Sequence, residues 1–119
     1  MSLHIERQGD VAIVVPNGPL DGSQLTEDLE TAMRKLIYGD QKKIVLDLVN
    51  TSRISSIGAG VLAGLHLSAT RCDATMHLCN INKRIEDLLV IIQLTRVLKI
   101  FDTRADALAA FEVKMSGAS

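Results

Sequence analysis

Two adjacent serines, Ser55 and Ser56, are the residues of this chain best placed to do chemistry. They follow the apolar run 44–49 and precede a glycine-rich stretch at 58–60, a pattern that predicts a strand, a loop and a helix. The N–H groups that open a helix have no partner within it and favour anions. We therefore expect Ser56 to be exposed and able to carry a phosphate. The pattern also fits a structural interpretation, in which Ser55 caps the helix and Ser56 is an ordinary first-turn residue.

Enzymatic chemistry through these serines lacks the motifs that usually accompany it. A triad could be drawn from Ser56, His77 and Asp47, but the Gly-x-Ser-x-Gly pattern of a nucleophile elbow is absent. The sequence contains no Gly-x-x-x-x-Gly-Lys-Ser/Thr phosphate loop and no Gly-x-Gly-x-x-Gly segment. The other histidines, His4 and His66, form no His-x-x-x-His pair. We expect no enzyme, no metal site and no cofactor, and a small hydrolase acting through Ser56 is the weakest alternative.

Composition limits the class of protein. The 119 residues are 47% hydrophobic, which predicts a single domain, residues 1–119, with an ordered core at about 3–112. A net charge of −1 and 3% aromatic residues argue against a nucleic-acid partner. Cys72 and Cys79 lack the spacing of a zinc motif and are expected to be reduced thiols. No segment is apolar enough for a membrane span, and residues 1–7 lack the pattern of a signal peptide, so we expect a cytoplasmic protein.

The elements that must position the serines can be predicted from hydrophobic periodicity. The order β-β-α-β-α-β-α-β-α predicts an α/β fold with a mostly parallel sheet of about five strands, an antiparallel edge from the N-terminal hairpin, and four helices. Asp21 or Ser23 is expected to cap the first helix. The predicted strands cover about residues 3–8, 11–15, 43–49, 74–79 and 97–101. The predicted helices cover about residues 22–38, 56–71, from Asn80 or Asn82 to Gln93, and from a capping box at 103–106 to Phe111.

An apolar run from Leu88 to Ile92 lies in the predicted third helix. One core-facing stripe can hide only part of five consecutive apolar residues. The helix either lies between other elements or exposes an apolar patch to a partner or a second copy of the chain. A homo-oligomer formed through the surface from Leu88 to Ile92 is therefore an open expectation.

The segment 45–62, Val-Leu-Asp-Leu-Val-Asn-Thr-Ser-Arg-Ile-Ser-Ser-Ile-Gly-Ala-Gly-Val-Leu, resembles the signature of STAS domains. It is most similar to the signature of stand-alone anti-sigma factor antagonists. That signature is an apolar strand ending in Asp-Leu, a turn, an aromatic-Ile pair, then Asp-Ser-Ser/Thr-Gly-Leu-Gly-Val-Leu. The segment 18–21, Gly-Pro-Leu-Asp, resembles the family's Gly-x-Leu-Asp after the second strand. The order of elements matches over roughly residues 3–112, which implies the STAS fold.

The resemblance assigns roles to individual residues. It implies that Ser56 is the serine phosphorylated in the family and that Asp21 is the acidic residue of the neighbouring loop. Three departures are a serine, Ser55, in place of the motif aspartate, Ile57 in place of the second Ser/Thr, and Arg53 where an aromatic residue is usual. The first departure removes a negative charge beside the target hydroxyl group. The partner-binding residues that the resemblance implies are Asp21, Ser55, Ser56, Ile57, Gly58 and Gly60.

The function implied by the resemblance is partner switching. The unmodified antagonist would bind an anti-sigma factor, often also a serine kinase, and so release a sigma factor for transcription. Phosphorylation of Ser56 would end binding, a phosphatase would restore it, and the glycines of the second helix would allow the partner close approach. The alternative is a STAS-type scaffold subunit of a signalling assembly, or a small subunit of a lipid or ion transport system, without a phosphorylation switch.

Overall fold

The computed structural model describes the backbone of residues 2–117 and the side chains of residues 2–112. Five strands and four helices within this range alternate in the order that the sequence predicts. The strands are β1 (Ser2–Gln8), β2 (Val11–Asn17), β3 (Lys43–Asp47), β4 (Thr75–Cys79) and β5 (Lys99–Phe101). The helices are α1 (Gln24–Tyr38), α2 (Ser56–Arg71), α3 (Lys83–Ile91) and α4 (Arg104–Gly117), with a short 3₁₀ helix at Leu94–Arg96.

The five strands form one sheet in the order β1-β2-β3-β4-β5, and the predicted α/β class and mixed sheet are confirmed. β1 runs antiparallel to β2, and every following pair is parallel. A two-residue turn joins β1 to β2, where Gly9 has φ +62°, a conformation that glycine adopts without steric cost. From β2 to β5 each strand lies beside the one that precedes it in the chain. The connections between such parallel neighbours are right-handed, so α1, α2 and α3 lie on the same face of the sheet.

Alternation of side chains along the central strands divides the core into two layers. In β3, Ile44 and Leu46 belong to the larger layer beneath α1, α2 and α3, whereas Val45 belongs to the smaller layer beneath α4. The strands are therefore apolar on both sides, as buried parallel strands require. The larger layer includes the buried residues Leu29, Met33, Leu46, Leu62, Leu65, Leu78, Ile85 and Leu89.

The start of α1 and the end of β3 differ in detail from the prediction. Ser23 occupies the N-cap position of α1, but its side chain makes no capping hydrogen bond. The Asp21 carboxylate instead accepts a hydrogen bond from the Ser23 N–H at 3.2 Å. β3 ends two residues early because Asp47 Oδ1 accepts the Val49 N–H at 3.0 Å and turns the chain.

The C-terminal third shows the largest differences in element boundaries. α3 ends at Ile91, since Gln93 has φ 63° and cannot continue a right-handed helix. Val97 closes the 3₁₀ helix and so does not belong to β5, which is shorter than predicted. α4 continues past Phe111 to Gly117, beyond its predicted end. The sequence also predicts fraying from Met115 to Ser119, and residues 118–119 of this segment lie outside the described residues.

Candidate functional site

Two loops meet at the carboxyl end of the sheet and determine where α2 begins. Leu20, after β2, forms an isolated parallel bridge with Ile54, after β3. The Leu20 N–H donates to the Arg53 carbonyl at 3.0 Å, and the Ser55 N–H donates to the Leu20 carbonyl at 3.0 Å. Leu20 and Ile54 are buried, so both backbone bonds are shielded from water. This bridge brings the predicted acidic residue Asp21 to the segment that contains the two serines.

Gly58 makes this close approach possible. A Cβ atom at position 58 would lie 2.1 Å from the Leu20 carbonyl oxygen, so no larger residue fits without movement of the backbone. Gly58 is buried, and its lack of a side chain is explained within the fold. Gly60 differs, because it is exposed and a Cβ atom there would have no neighbour within 4 Å. Of these two glycines, Gly60 is the one that a partner could approach directly.

The two serines have different environments. Ser55 is the N-cap of α2: its backbone is extended, and its Oγ accepts the Gly58 N–H at 3.4 Å. An aspartate at position 55 could accept the same hydrogen bond, so Ser55 keeps the cap without the charge. Ser56 is the first residue of α2 and its side chain is exposed. The structural interpretation therefore accounts for Ser55, whereas the Ser56 hydroxyl faces solvent at the helix N-terminus.

An exposed apolar side chain lies beside Ser56. Ile57 is 63% exposed although it is large and apolar. Its side chain lies next to Gly22, where a Cβ atom would be only 3.2 Å from Ile57 Cδ1. Gly22 has φ +93°, which favours glycine there independently of the contact. We refer to Asp21, Ser55, Ser56, Ile57 and Gly60 as the α2 start surface.

The charges at the α2 start surface come from the loops and not from the helix. Asp21 Oδ2 lies 3.2 Å from an Arg53 guanidinium nitrogen. Hydrogen bonds from Ser23, followed by the charge of Arg53, hold the pKa of Asp21 below its ordinary value. The first turn of α2 contains no acidic residue, so no carboxylate of the helix itself offsets the positive end of its dipole.

Comparison with known proteins identifies the family of this chain. Residues 2–107 match the family model described as the STAS domain. The chain belongs to the STAS domain family. This STAS domain is 28% identical to the anti-sigma F factor antagonist of Paenibacillus polymyxa over 114 residues, which are 95% of this chain and 97% of that protein. A Thermotoga neapolitana protein, named as a candidate anti-sigma factor antagonist, is 29% identical over 99 residues, 83% of this chain and 88% of its own.

Solved structures extend the likeness in fold. The anti-sigma factor antagonist SpoIIAA in its unphosphorylated form has a TM-score of 0.71 with 16% identity, covering 95% of this chain and 98% of its own. The phosphorylated form of SpoIIAA from Bacillus has a TM-score of 0.73 with 16% identity, covering 92% of this chain and 99% of its own. At such identity these matches show that the fold is shared. No helix in the described range is long and apolar enough to cross a membrane.

The residues of the imagined catalytic triad are not brought together in this STAS domain. His77 lies under α4, where its Nδ1 is 2.8 Å from the Ala107 carbonyl oxygen and its ring stacks on Phe111. Asp47 lies in the same layer and binds Arg104, whereas Ser56 begins a helix on the opposite face of the sheet. Among the described residues, no group of three or more His, Cys, Asp or Glu could hold a metal ion.

The cysteines are separate thiols in the fold. Cys72 and Cys79 form no disulfide, and Cys79 is buried beneath α4. Burial, with the nearby charge of Asp47, raises the pKa of the Cys79 thiol to about 12. Cys79 is therefore protonated at neutral pH and has no nucleophilic character there.

Sequence reasoning selected the residues of the α2 start surface but missed the contacts that build it. The bridge between Leu20 and Ile54 joins residues more than 30 positions apart, and no local pattern reports such a pair. Gly22, which accommodates Ile57, was also missed. Its position directly after the matched segment 18–21 is the one signal that could have indicated a turn of special conformation.

Proposed function

We propose that this STAS domain is an anti-sigma factor antagonist and that phosphorylation of Ser56 ends its binding to the anti-sigma factor. The observation that carries the proposal is the environment of Ser56, an exposed hydroxyl at the first position of α2 beside the exposed Ile57. Membership of the STAS family and the names of its relatives supply the class of partner. The proposal assigns no catalytic role to the chain itself.

The contacts of the α2 start surface suggest how the partner binds. Ile57 offers an exposed apolar side chain next to Gly22, and Gly60 leaves room on the exposed side of the helix for close approach. A few residues that pack in desolvated pockets near the centre of an interface contribute most of its binding energy. We expect Ile57 to be the central apolar contact, and Asp21 to offer a negative charge at the rim to a basic group of the partner.

Phosphorylation of Ser56 would act through the negative charge that it adds to the surface, without a change in the fold. A phosphoserine adds about −1.5 to −2 charges at pH 7. In the complex this charge would be desolvated close to Asp21, and both effects oppose binding. The bridge at Leu20 is formed by backbone groups and by the space at Gly58, so it does not depend on the Ser56 hydroxyl. The free domain is therefore expected to keep its fold in both states.

The kinase and the phosphatase complete the proposed cycle. The anti-sigma factor is itself the proposed serine kinase, and it must recognise Ser56 without the aspartate that the family motif places at position 55. Because Ser55 keeps the N-cap bond, the backbone presented to the kinase is the same as with an aspartate. The missing negative charge would lower the rate of phosphorylation and leave the site unchanged.

Binding and phosphorylation can be tested with three variants. The anti-sigma factor is captured from lysate of the source cells on the wild-type domain, identified by mass spectrometry and purified. We expect Ser56→Ala to bind it as tightly as the wild type and Ser56→Asp to bind roughly 100-fold more weakly. Thr70→Asp, which adds the same charge at the far end of α2, is the matched control and should bind normally.

The result that would contradict the proposal is equal binding by wild type and Ser56→Asp. Recovery of the same partners by both would favour the scaffold or transport role that the sequence left open. Incubation of the purified partner with ATP should add one phosphoryl group to the wild type and none to Ser56→Ala, as measured by intact mass. Phosphorylation of Ser56→Ala to the same extent as the wild type would show that the kinase modifies a residue other than Ser56.

A further inference from the structure

The outer edge of β1 is a second surface of this domain and shares no residue with the α2 start surface. β1 is the edge strand of the described sheet and, at seven residues, is longer than β5 at the other edge. The two-residue turn makes Gln8 and Val11 a hydrogen-bonded pair, and bonded pairs alternate along an antiparallel ladder. The N–H and C=O groups of Leu3, Ile5 and Arg7 therefore point away from β2, free to pair with another strand.

The sequence of β1 is complementary to itself in one antiparallel register. If two copies of β1 pair about a twofold axis at Ile5, Ile5 faces Ile5 of the second copy as a bonded pair. His4 then faces Glu6 of the second copy at a non-bonded position, where side chains of opposing strands lie closest. His4 and Glu6 share a face of the strand and already attract each other within one copy at 3.1 Å. The register thus places the imidazole of one copy against the carboxylate of the other at two symmetric positions.

The outer face of α1 has the same twofold complementarity. A groove of about 450 Å³ separates β1 from α1. Along α1, Asp28 and Lys35 are seven residues apart, with the small residues Thr31 and Ala32 between them on the same face. Two such faces in antiparallel contact place Asp28 of each copy opposite Lys35 of the other, and the small residues allow close approach. The groove is lined by Ile5, Asp28, Thr31, Ala32, Lys35 and Leu36.

We propose that two copies of this domain form a homodimer through the β1 edge and the outer face of α1, joining their sheets into one. Ile5 lines the same groove as Thr31 and Ala32, so one twofold axis serves both the strands and the helices. Ile5 is 43% exposed in the single chain, and pairing would bury it beneath the two helices. The α2 start surface has no residue in this interface, so the dimer is independent of the proposed function.

Charge exchange provides the decisive test. The full chain is studied by sedimentation equilibrium from micromolar to millimolar concentration. We expect a reversible dimer for the wild type, and dissociation constants raised roughly tenfold by either Asp28→Lys or Lys35→Asp, because each variant sets like charges opposite each other twice. The double variant Asp28→Lys/Lys35→Asp restores opposite charges and should recover wild-type affinity. A wild type that stays monomeric throughout, or a double variant as weak as the single ones, would overturn the proposal.

A backbone variant distinguishes this interface from the apolar surface of α3. Ile5→Pro removes an N–H that points away from β2, so it should abolish the dimer while circular dichroism shows an intact fold. Ile91, which is 75% exposed on α3, is the control position, and Ile91→Lys should leave the dimer unchanged. Loss of the dimer in Ile91→Lys together with its retention in Ile5→Pro would place the interface on α3 and refute the one proposed.

Discussion

At the scale of single residues, similar residues of one motif have separate tasks. Ser55 stabilises the start of α2 through its capping bond, and the exposed Ser56 makes no contribution to that cap. Gly58 lets Leu20 approach the helix, whereas Gly60 leaves open space on its exposed side. The motif therefore contains residues that build the loop bridge and residues that remain available to a partner.

The two glycines allow a matched test of this division. We expect Gly58→Ala to lower the free energy of unfolding by about 3 kcal/mol, because its Cβ atom would collide with a backbone carbonyl group. Gly60→Ala should raise the free energy of unfolding by about 0.5–1 kcal/mol, since alanine favours the helix and meets no neighbour. Urea unfolding of both variants measures the difference. Equal effects would show that the bridge at Leu20 tolerates a side chain at position 58.

At the scale of elements, α4 is attached to the sheet by a network of charges around Asp47. Asp47 is 2% exposed; its Oδ2 accepts from Arg104 Nε at 2.8 Å, and its Oδ1 accepts from Asn80 at 2.9 Å. Arg104 also pairs with Glu6 of β1. Because Asp47 Oδ1 accepts the Val49 N–H too, one carboxylate joins α4 to the turn that leads towards Ser56. The C-terminal helix and the α2 start surface are thus connected through β3.

Removal of the Arg104 charge should loosen α4. Arg104→Met keeps most of the aliphatic stem but leaves the buried Asp47 carboxylate without its cation. We expect the free energy of unfolding to fall by about 2 kcal/mol. This is less than for a fully buried pair, because the Arg104 side chain is 34% exposed. Hydrogen exchange should become faster first in α4. Lys83→Met, which removes an exposed cation from α3, is the control. An equal fall in the free energy of unfolding in this variant would show that removal of any cation, and not loss of the contact with Asp47, accounts for the effect.

At the scale of the whole molecule, the pKa shifts of one histidine and three carboxylates affect stability in the same direction. Burial, followed by the charge of Lys99, lowers the pKa of His66 below 6.5. Hydrogen bonds to His4, Lys43 and Ser23 are the largest causes that lower the pKa values of Glu6, Asp10 and Asp21, respectively. In each case the unfolded chain binds the proton more tightly, so acid destabilises the fold.

We expect two steps in the dependence of stability on pH. The contribution of His66 is complete above about pH 6.5 and is lost as the pH falls through its lower folded pKa. The contributions of the carboxylates are complete above pH 4.5 for Glu6 and 3.8 for Asp21, and are lost below these values. Urea unfolding across this range measures both steps. His66→Gln should remove the upper step only, and a wild type that gains stability on acidification would contradict the assignment.

The sequence by itself determined the order of elements, the α/β class and the serine pair at the start of α2. Each depends on short-range information, namely periodicity, glycine positions and a motif within 18 residues. Element boundaries were less well predicted, because the left-handed Gln93 and the turn at Asp47 depend on the surrounding chain. The apolar run from Leu88 to Ile92 divided as one-sided packing requires, with Leu89 buried and Ile91 exposed.

Only the tertiary structure decided which residues of the motif face solvent. Burial of Gly58 depends on a carbonyl group at Leu20, 38 positions earlier, which the fold brings into contact. The same is true of Arg104, whose partner Asp47 lies 57 positions away. Such pairs are set by how strands and helices pack, and a linear pattern contains no record of distance in space. The position of Ser56 at the start of α2 could therefore be predicted from its motif, whereas the bridge that sets this start could not.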